Sequence, residues 1–208
     1  GVSWGKTLHL VAQALPQRWR NGVKVVQVNG AVSHSQSPGL ASATATMIAN
    51  KGHGDVTLLP TPAILEREET KQAIESDRSI RGVLAHAAQA DTYLFSAGPA
   101  TEVSIHVQSG YINHDDVQRL QDKGAVGDVL GRYITQEGNI ADTELDNRTL
   151  GLSLESLRQA PRSIAVVSGA DKHQVALAIA RSSLASVMIM DEATATFLLD
   201  NQPKDTTP

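Results

Sequence analysis

The sequence contains no cysteine, and this absence removes three kinds of chemistry. Disulfide bonds, thiolate metal sites and a cysteine nucleophile are all excluded. Aromatic residues make up only 3% of the 208 residues, whereas hydrophobic residues make up 41%. A core large enough for one domain must therefore consist of aliphatic side chains, which is typical of a parallel sheet covered by helices.

Long charged and long apolar runs are missing as well. Lysine and arginine are scattered and the net charge is −4, so the chain lacks the basic patch typical of nucleic-acid binding. No apolar run approaches the roughly 18 residues that a membrane-spanning helix needs, and no signal-peptide pattern opens the chain. The histidines show no metal-ligand spacing such as HExxH, so we expect no metal and no cofactor. These features fit a cytoplasmic protein without a membrane partner.

Strand-like and helix-like segments alternate along the chain. Runs rich in β-branched and apolar residues predict strands at 22–30, 55–60, 92–98, 162–169 and 186–191. Amphipathic segments between them predict helices, including one at 79–90 that we expect Ser79 to cap. The alternation predicts an α/β fold with a doubly wound, mostly parallel sheet and helices on both faces. We place the domain at 1–200, with a small strand-rich insertion at about 99–150 and a flexible tail at 201–208.

Polar loops follow the predicted strands. In doubly wound sheets, ligands bind at the carboxyl ends of the strands. Glycine occurs there with serine, threonine, asparagine or lysine, at 1–7, 28–39, 96–101 and 168–174. This composition is typical of a site for a polar, anionic small molecule.

The opening stretch, GVSWGKT at 1–7, precedes an amphipathic helix. A helix N-terminus offers unpaired N–H groups and a partial positive charge, and Gly5 would let an anion approach the backbone closely. Ser3, Lys6 and Thr7 would add donors. The spacing is not that of a P-loop, and the same residues also suit a plain turn with a helix cap.

Three further residues attract attention by their positions. Lys172 opens a predicted helix, where a positive charge opposes the helix dipole unless an anion lies nearby. Asp128 lies between apolar residues and glycine, so it could accept hydrogen bonds from sugar hydroxyls or cap a turn. His106 lies in an irregular segment near a strand end. Trp4 is expected to be a packing residue.

Several longer stretches carry a resemblance to a known family. They are GVSWGKTL (1–8), LLPTPAI (58–64), GAVGDVLGRYITQEG (124–138), LGLSLESLRQAP (150–161), IAVVSGADK (164–172) and MIMDEATATFLL (188–199). In this order and spacing, the chain resembles the C-terminal effector-binding domain of SorC-type bacterial transcription regulators, which belong to the DeoR/SorC group.

The resemblance implies a Rossmann-like fold similar to ribose-5-phosphate isomerase and glucosamine-6-phosphate deaminase. It implies an effector-sensing domain that binds a sugar, polyol or sugar phosphate in a cytoplasmic regulator. A homodimer or homotetramer is expected. Operator DNA would be bound only through an N-terminal helix-turn-helix domain that is absent from this chain.

The resemblance also implies roles for individual residues. The family's phosphate loop falls on Gly5, Lys6 and Thr7, its ligand-contacting acid on Asp128 and its strand-end lysine on Lys172. Asn29 and Gly30 stand where phosphosugar-binding members often carry an arginine turn, and His106 lies near the position of an arginine pair. A monophosphate or a neutral sugar or polyol is therefore a more plausible effector than a doubly phosphorylated one. Ser3 and Gly98 complete the predicted ligand site.

Two other functions were weighed against the sensor. A sugar-phosphate isomerase or deaminase would need a base beside the substrate and a group that stabilises the enediolate, and Asp128 and Lys172 could serve. The carboxylate cluster of such enzymes is missing, however, so we expect no enzyme activity. A subunit-interaction module without a ligand would leave the polar strand ends unexplained.

Overall fold

The computed structural model describes residues 1–31 and 39–201. Within these ranges the chain has ten α-helices: α1 (Lys6–Ala14), α2 (Leu40–Lys51), α3 (Glu68–Ser76), α4 (Arg78–Ala87), α5 (Ile105–Gln108), α6 (His114–Asp122), α7 (Thr143–Arg148), α8 (Leu154–Arg158), α9 (His173–Arg181) and α10 (Glu192–Asp200). The same ranges contain eight strands: β1 (Lys24–Val26), β2 (Asp55–Thr57), β3 (Tyr93–Phe95), β4 (Ala97–Pro99), β5 (Ala125–Val129), β6 (Arg132–Thr135), β7 (Ser163–Val167) and β8 (Val187–Met190). A 3₁₀ turn at Ala170–Lys172 precedes α9. Most of the predicted loop at 28–39 and of the predicted tail at 201–208 lies outside the described residues.

The parallel strands form one main sheet, and Val2 joins its two halves. β1 pairs with β2, while β7 lies between β3 and β8, and all of these pairings are parallel. Val2 forms parallel bridges to Gln27 on one side and to Leu94 on the other. The order across the sheet is therefore β2, β1, Val2, β3, β7 and β8. Because the strands are parallel, their carboxyl ends meet at one edge.

Side chains along the strands alternate between two hydrophobic cores. Val26 and Val167 belong to the core that includes side chains of α8, α9 and α10. Val25 and Val166 belong to the other core, together with side chains of α1 and α2. Since successive residues of a strand point to opposite faces, the sheet has helices on both faces. The predicted doubly wound α/β fold is confirmed.

A smaller antiparallel sheet begins one residue after β3. β5 lies between β4 and β6, and both pairings are antiparallel. A separate core that includes Leu120 of α6 and Leu145 of α7 packs with Tyr133 of β6. Because β4 follows β3 directly, this sheet stands at the carboxyl edge of the main sheet. Its register sets Asp128 of β5 opposite Gly98 of β4.

The cap of α4 differs from the prediction. Asp77, not Ser79, is the N-cap: its carboxylate accepts a hydrogen bond from the Ser79 backbone N–H at 2.8 Å and another from the Ser79 hydroxyl. Aspartate and serine are about equally good caps by residue type, and the prediction considered only Ser79. Asp77 is the cap because α3 ends at Ser76 and the chain turns at Asp77, so α4 begins at the next residue.

Asp142 joins the two helices that cover the small sheet. Its carboxylate is fully buried, caps α7 by accepting the Leu145 N–H at 3.1 Å, and contacts Arg119 at 3.3 Å and Lys123 at 3.0 Å. Burial opposes ionisation, but the hydrogen bonds from Leu145, Lys123 and Arg119 outweigh it and hold the pKa of Asp142 below its usual range. The charge of this carboxylate therefore stabilises the folded state.

Replacing Asp142 with asparagine is expected to lower the free energy of unfolding by about 2 kcal/mol at pH 7, because the cap acceptor remains but the charge is lost. A depressed pKa stabilises the fold above the unfolded-state pKa of about 4, and this contribution is lost as the pH falls through the lower folded-state pKa. The difference between the two proteins in urea unfolding should therefore shrink at pH 3. An equal difference at pH 7 and pH 3 would contradict this assignment.

Candidate functional site

A cleft of about 240 Å³ opens at the carboxyl edge of the main sheet, beside the small sheet. Its walls come from the N-terminal segment, the end of β1, β4, α5, the β5–β6 turn and the 3₁₀ turn before α9. Of the ten residues predicted to bind a ligand, the following nine line it: Ser3, Gly5, Lys6, Thr7, Asn29, Gly98, His106, Asp128 and Lys172. The parallel arrangement brings these distant segments together, because each one follows or adjoins a strand end.

Gly30, the tenth predicted residue, does not line the cleft. Its carbonyl oxygen accepts a hydrogen bond from Trp4 Nε1 at 2.9 Å. A Cβ atom at this position would lie 2.0 Å from the Pro62 carbonyl oxygen. Gly30 therefore permits a close approach of two backbone segments behind the cleft.

α1 directs an uncapped N-terminus at the cleft. Its N-cap, Gly5, has a φ of 144°, which favours glycine, and no side chain accepts the N–H groups of the first turn. These N–H groups have no acceptor within the helix and carry a partial positive charge. Lys172 Nζ lies 3.5 Å from Thr7 Oγ1, and Lys6 stands exposed beside them. This part of the cleft is therefore cationic and rich in donors.

A second set of polar side chains centres on Asp128, which is 6% exposed. Its Oδ2 accepts the Gly131 N–H at 3.0 Å, so the predicted turn-capping role is present in the structure. Its Oδ1 lies 3.8 Å from His106 Nδ1, and that nitrogen lies 3.1 Å from the Tyr133 hydroxyl. Burial, with the nearby charge of Asp128, raises the pKa of Tyr133, so the phenol stays neutral.

Three aromatic rings surround His106. Trp4, Tyr111 and Tyr133 meet the imidazole edge-on, with ring centroids 6.4, 6.3 and 5.7 Å away. The imidazole is 2% exposed, so these rings leave it little room to reorient. Trp4 packs as predicted, but it also lines the cleft, which the sequence did not indicate.

Two residues that line the cleft each carry a buried oxygen with no hydrogen-bond partner among the described residues. These oxygens are Asn29 Oδ1, on a side chain that is 3% exposed, and Ser96 Oγ. An unpaired buried acceptor is costly, so a donor that reached either oxygen would gain a hydrogen bond.

Four polar lining residues were not named individually, although two of them lie in the predicted stretches 96–101 and 168–174: Ser96, Ser104, Gln108 and Asp171. Ser96 directly follows β3 and opens the stretch 96–101 that was predicted from its place at a strand end. Ser104 and Gln108 adjoin or belong to the short helix α5, where the sequence has no clear periodicity. Asp171 precedes Lys172 and places a negative charge at the same rim.

Within residues 1–31 and 39–201, no group of three or more His, Asp or Glu side chains is arranged to hold a metal ion. Across the same ranges, no helix is both long and apolar enough to span a membrane.

Comparison with known proteins relates the chain to a family. The deoxyribonucleoside regulator of Bacillus subtilis is 32% identical over 201 residues, which are 97% of this chain and 64% of the regulator. The chain thus spans less than two thirds of that relative. A solved DeoR family transcriptional regulator from Listeria monocytogenes is 27% identical, with a TM-score of 0.86, over 95% of this chain and 78% of that chain.

The fold likeness extends to the full-length sorbitol operon regulator SorC from Klebsiella pneumoniae, with a TM-score of 0.87 at 22% identity, over 96% of this chain and 65% of that chain. The resemblance to SorC-type regulators that the sequence motifs indicated is confirmed. The Sugar-bind family model, which describes a sugar-binding domain, matches residues 1–200. This chain belongs to the Sugar-bind family of sugar-binding domains.

Proposed function

We propose that this chain is the effector-sensing domain of a bacterial transcription regulator and that its cleft binds one sugar, polyol or sugar phosphate. One observation carries the proposal. A single cleft combines the uncapped N-terminus of α1 and Lys172 with the buried carboxylate of Asp128. The first pair suits an anion, and the carboxylate suits neighbouring hydroxyl groups.

The cationic part of the cleft would hold a phosphate. Backbone N–H groups at a helix N-terminus bind phosphate oxygens directly, and the helix dipole favours the negative charge. Lys6 and Lys172 add two positive charges beside Thr7. Neither Asn29 nor His106 provides the permanent charge of an arginine, so one phosphate fits the site better than two.

The remaining polar groups would hold the sugar. Asp128 Oδ1 accepts hydrogen bonds, and the unpaired Asn29 Oδ1 and Ser96 Oγ gain partners when a hydroxyl group arrives. A volume of 240 Å³ lies below the usual range for drug-sized ligands, roughly 300–1,000 Å³. One monosaccharide, with or without a phosphate, therefore suits the space.

The regulatory step follows from ligand binding. A ligand that binds one arrangement of subunits more tightly shifts the equilibrium toward it and so changes DNA affinity. Contact with operator DNA would belong to a part of the regulator outside residues 1–200, and the sensing domain would act as a homodimer or homotetramer in the cytoplasm. The isomerase or deaminase alternative gains no support from the relatives, which are named as regulators.

A thermal-shift screen tests this function. Pentoses, hexoses, polyols and their monophosphates would be tested singly, with inorganic phosphate as the control for anion binding alone. A ligand at about 100 times its dissociation constant should stabilise the native state by about 2.7 kcal/mol. We expect such a shift without turnover of the ligand. Absence of a shift from every compound, or turnover of a hit, would refute the proposal.

Replacing Gly98 with alanine should weaken binding of the hit about tenfold, or roughly 1.4 kcal/mol. The new Cβ would lie 2.3 Å from Asp128 Oδ1, so the carboxylate must move although it is still present. Gly82→Ala in α4 is the matched control, because no atom lies within 4 Å of its Cβ position. Isothermal titration calorimetry checks both variants. Unchanged affinity in Gly98→Ala would mean that Asp128 does not contact the ligand.

A further inference from the structure

The turn between β7 and α9 places Lys172 at the cleft, and Asp191, which lies outside the cleft, accepts hydrogen bonds from this turn. β7 and β8 pair in parallel with Val167 opposite Met190. The next residues, Ser168 and Asp191, therefore leave the sheet side by side. Asp191 is not among the residues that line the cleft.

The two carboxylate oxygens of Asp191 have separate partners. Oδ1 accepts the Thr194 backbone N–H at 2.7 Å and so caps α10. Oδ2 accepts the Ser168 hydroxyl at 2.7 Å and the Gly169 backbone N–H at 2.8 Å. The hydrogen bonds from Ser168, then from the Thr194 and Gly169 N–H groups, hold the pKa of Asp191 well below its usual range. The carboxylate is therefore ionised at neutral pH.

The contact continues from Asp191 to Lys172 through the backbone. Gly169 has a φ of 110°, which favours glycine, and its carbonyl oxygen accepts the Lys172 N–H at 3.0 Å. That hydrogen bond closes the 3₁₀ turn at Ala170–Lys172. The orientation of Gly169 thus sets where the Lys172 backbone lies, and Asp191 Oδ2 holds Gly169.

We propose that Asp191 is a positioning residue for anion binding, which acts by fixing the 168–172 turn so that Lys172 points into the cleft. This inference rests on the proposed function, because it takes Lys172 as a ligand contact. A role limited to capping α10 would use Oδ1 alone. The two bonds to Oδ2 join β8 and α10 to the turn that forms one wall of the cleft.

Asparagine at position 191 separates the two roles. Asp191→Asn keeps an oxygen that caps α10, and asparagine is as good a cap as aspartate. Its amide nitrogen cannot accept the Gly169 N–H in place of Oδ2. Asp77→Asn is the matched control, since Asp77 also caps a helix and accepts bonds from a serine, yet lies away from the cleft. Ser168→Ala removes one of the two Oδ2 bonds and should show a smaller effect of the same kind.

The first measurement is amide hydrogen exchange of the unliganded protein. Opening of a local hydrogen-bonded unit appears as faster exchange of its amides. In Asp191→Asn, the amides of Gly169 and Lys172 should exchange at least tenfold faster, while those of α10 and all amides in Asp77→Asn stay unchanged. Unchanged exchange at Gly169 and Lys172 would overturn the proposal.

The second measurement is the dissociation constant for inorganic phosphate, determined from the NMR shifts of the Lys6 and Thr7 amides during titration. Asp191→Asn should raise this dissociation constant at least fivefold in the wild-type background. It should leave the constant unchanged in a Lys172→Met background, because Asp191 affects phosphate binding only by positioning Lys172. An equal loss in both backgrounds, or no loss in either, would overturn the proposal. If phosphate and sugar phosphates fail to bind the wild type, anion binding and this proposal fail, whereas the proposed function fails only if neutral sugars and polyols also fail to bind.

Discussion

Replacing Lys172 with methionine is expected to weaken binding of a sugar monophosphate about 10- to 100-fold. A hydrogen bond to a charged group contributes roughly 1.5–3 kcal/mol, and each 1.4 kcal/mol is about tenfold in affinity. Lys172 is half-buried beside Thr7 in the first turn of α1, so its charge is less screened by solvent than that of exposed Lys6. Methionine keeps most of the length and the apolar stem, so the cleft keeps its shape.

The comparison that isolates the charge uses one sugar with and without its phosphate. Calorimetric titration of Lys172→Met should show a large loss for the phosphate ester and less than a twofold change for the free sugar. Lys71→Met is the control, because Lys71 pairs with Glu75 within α3, does not line the cleft and should leave both affinities unchanged. Equal losses for ester and free sugar would mean that Lys172 contacts hydroxyl groups and that the phosphate binds elsewhere.

Replacing Arg132 with methionine is expected to lower the free energy of unfolding by about 3–5 kcal/mol, the usual cost of breaking a buried charge network. Its guanidinium is nearly buried and donates to the carbonyl oxygens of Leu152 at 2.9 Å and Gly151 at 3.1 Å, and to the Asp146 carboxylate. Methionine fills the space but leaves these acceptors without a donor. Urea unfolding followed by circular dichroism measures the loss.

The Arg132 network also bears on the cleft. Gly151 forms an antiparallel bridge with Asn29, so Arg132 supports the backbone that places Asn29 in the site. We therefore expect ligand binding by Arg132→Met to weaken even where the variant remains folded. Arg78→Met, at an exposed position of α4, should change the unfolding free energy by less than about 0.5 kcal/mol. If Arg132→Met lost no more unfolding free energy than Arg78→Met, water would be replacing the guanidinium without cost.

Local sequence patterns predicted the type and order of the helices and strands better than the residues at which they begin and end. The run at 22–30 was expected to be one strand, but β1 is assigned only to Lys24–Val26. The chain beyond it still pairs, since Gln27 and Asn29 form bridges to Val2 and Gly151. Which residues pair depends on partners far along the chain, and hydrophobic periodicity contains no information about them. The cap of α4 shows the same limit, because Asp77 and Ser79 were equally good by type.

The candidate site was predictable where a strand end marked it. Asn29, Gly98 and Lys172 lie in the polar stretches predicted at strand ends, the resemblance singled out Asn29 and Lys172, and the structure brings all three to the cleft. Ser104 and Gln108 were missed because α5 is too short to show a period. Gly30 was predicted with Asn29 as part of the turn where relatives carry arginine, yet its neighbour Pro62 explains the glycine.

The sequence by itself determined the α/β class through the periodicity of its strands and the family through its matching stretches. It also identified nine of the residues that line the cleft, because parallel strands bring their ends together. Only the tertiary structure decided how those residues are held. Ser168 meets Asp191 through the β7–β8 register, and Lys172 meets Thr7 across 165 positions of the chain. Such contacts depend on strand register and on the packing of helices against a sheet, which arise from the folded chain as a whole.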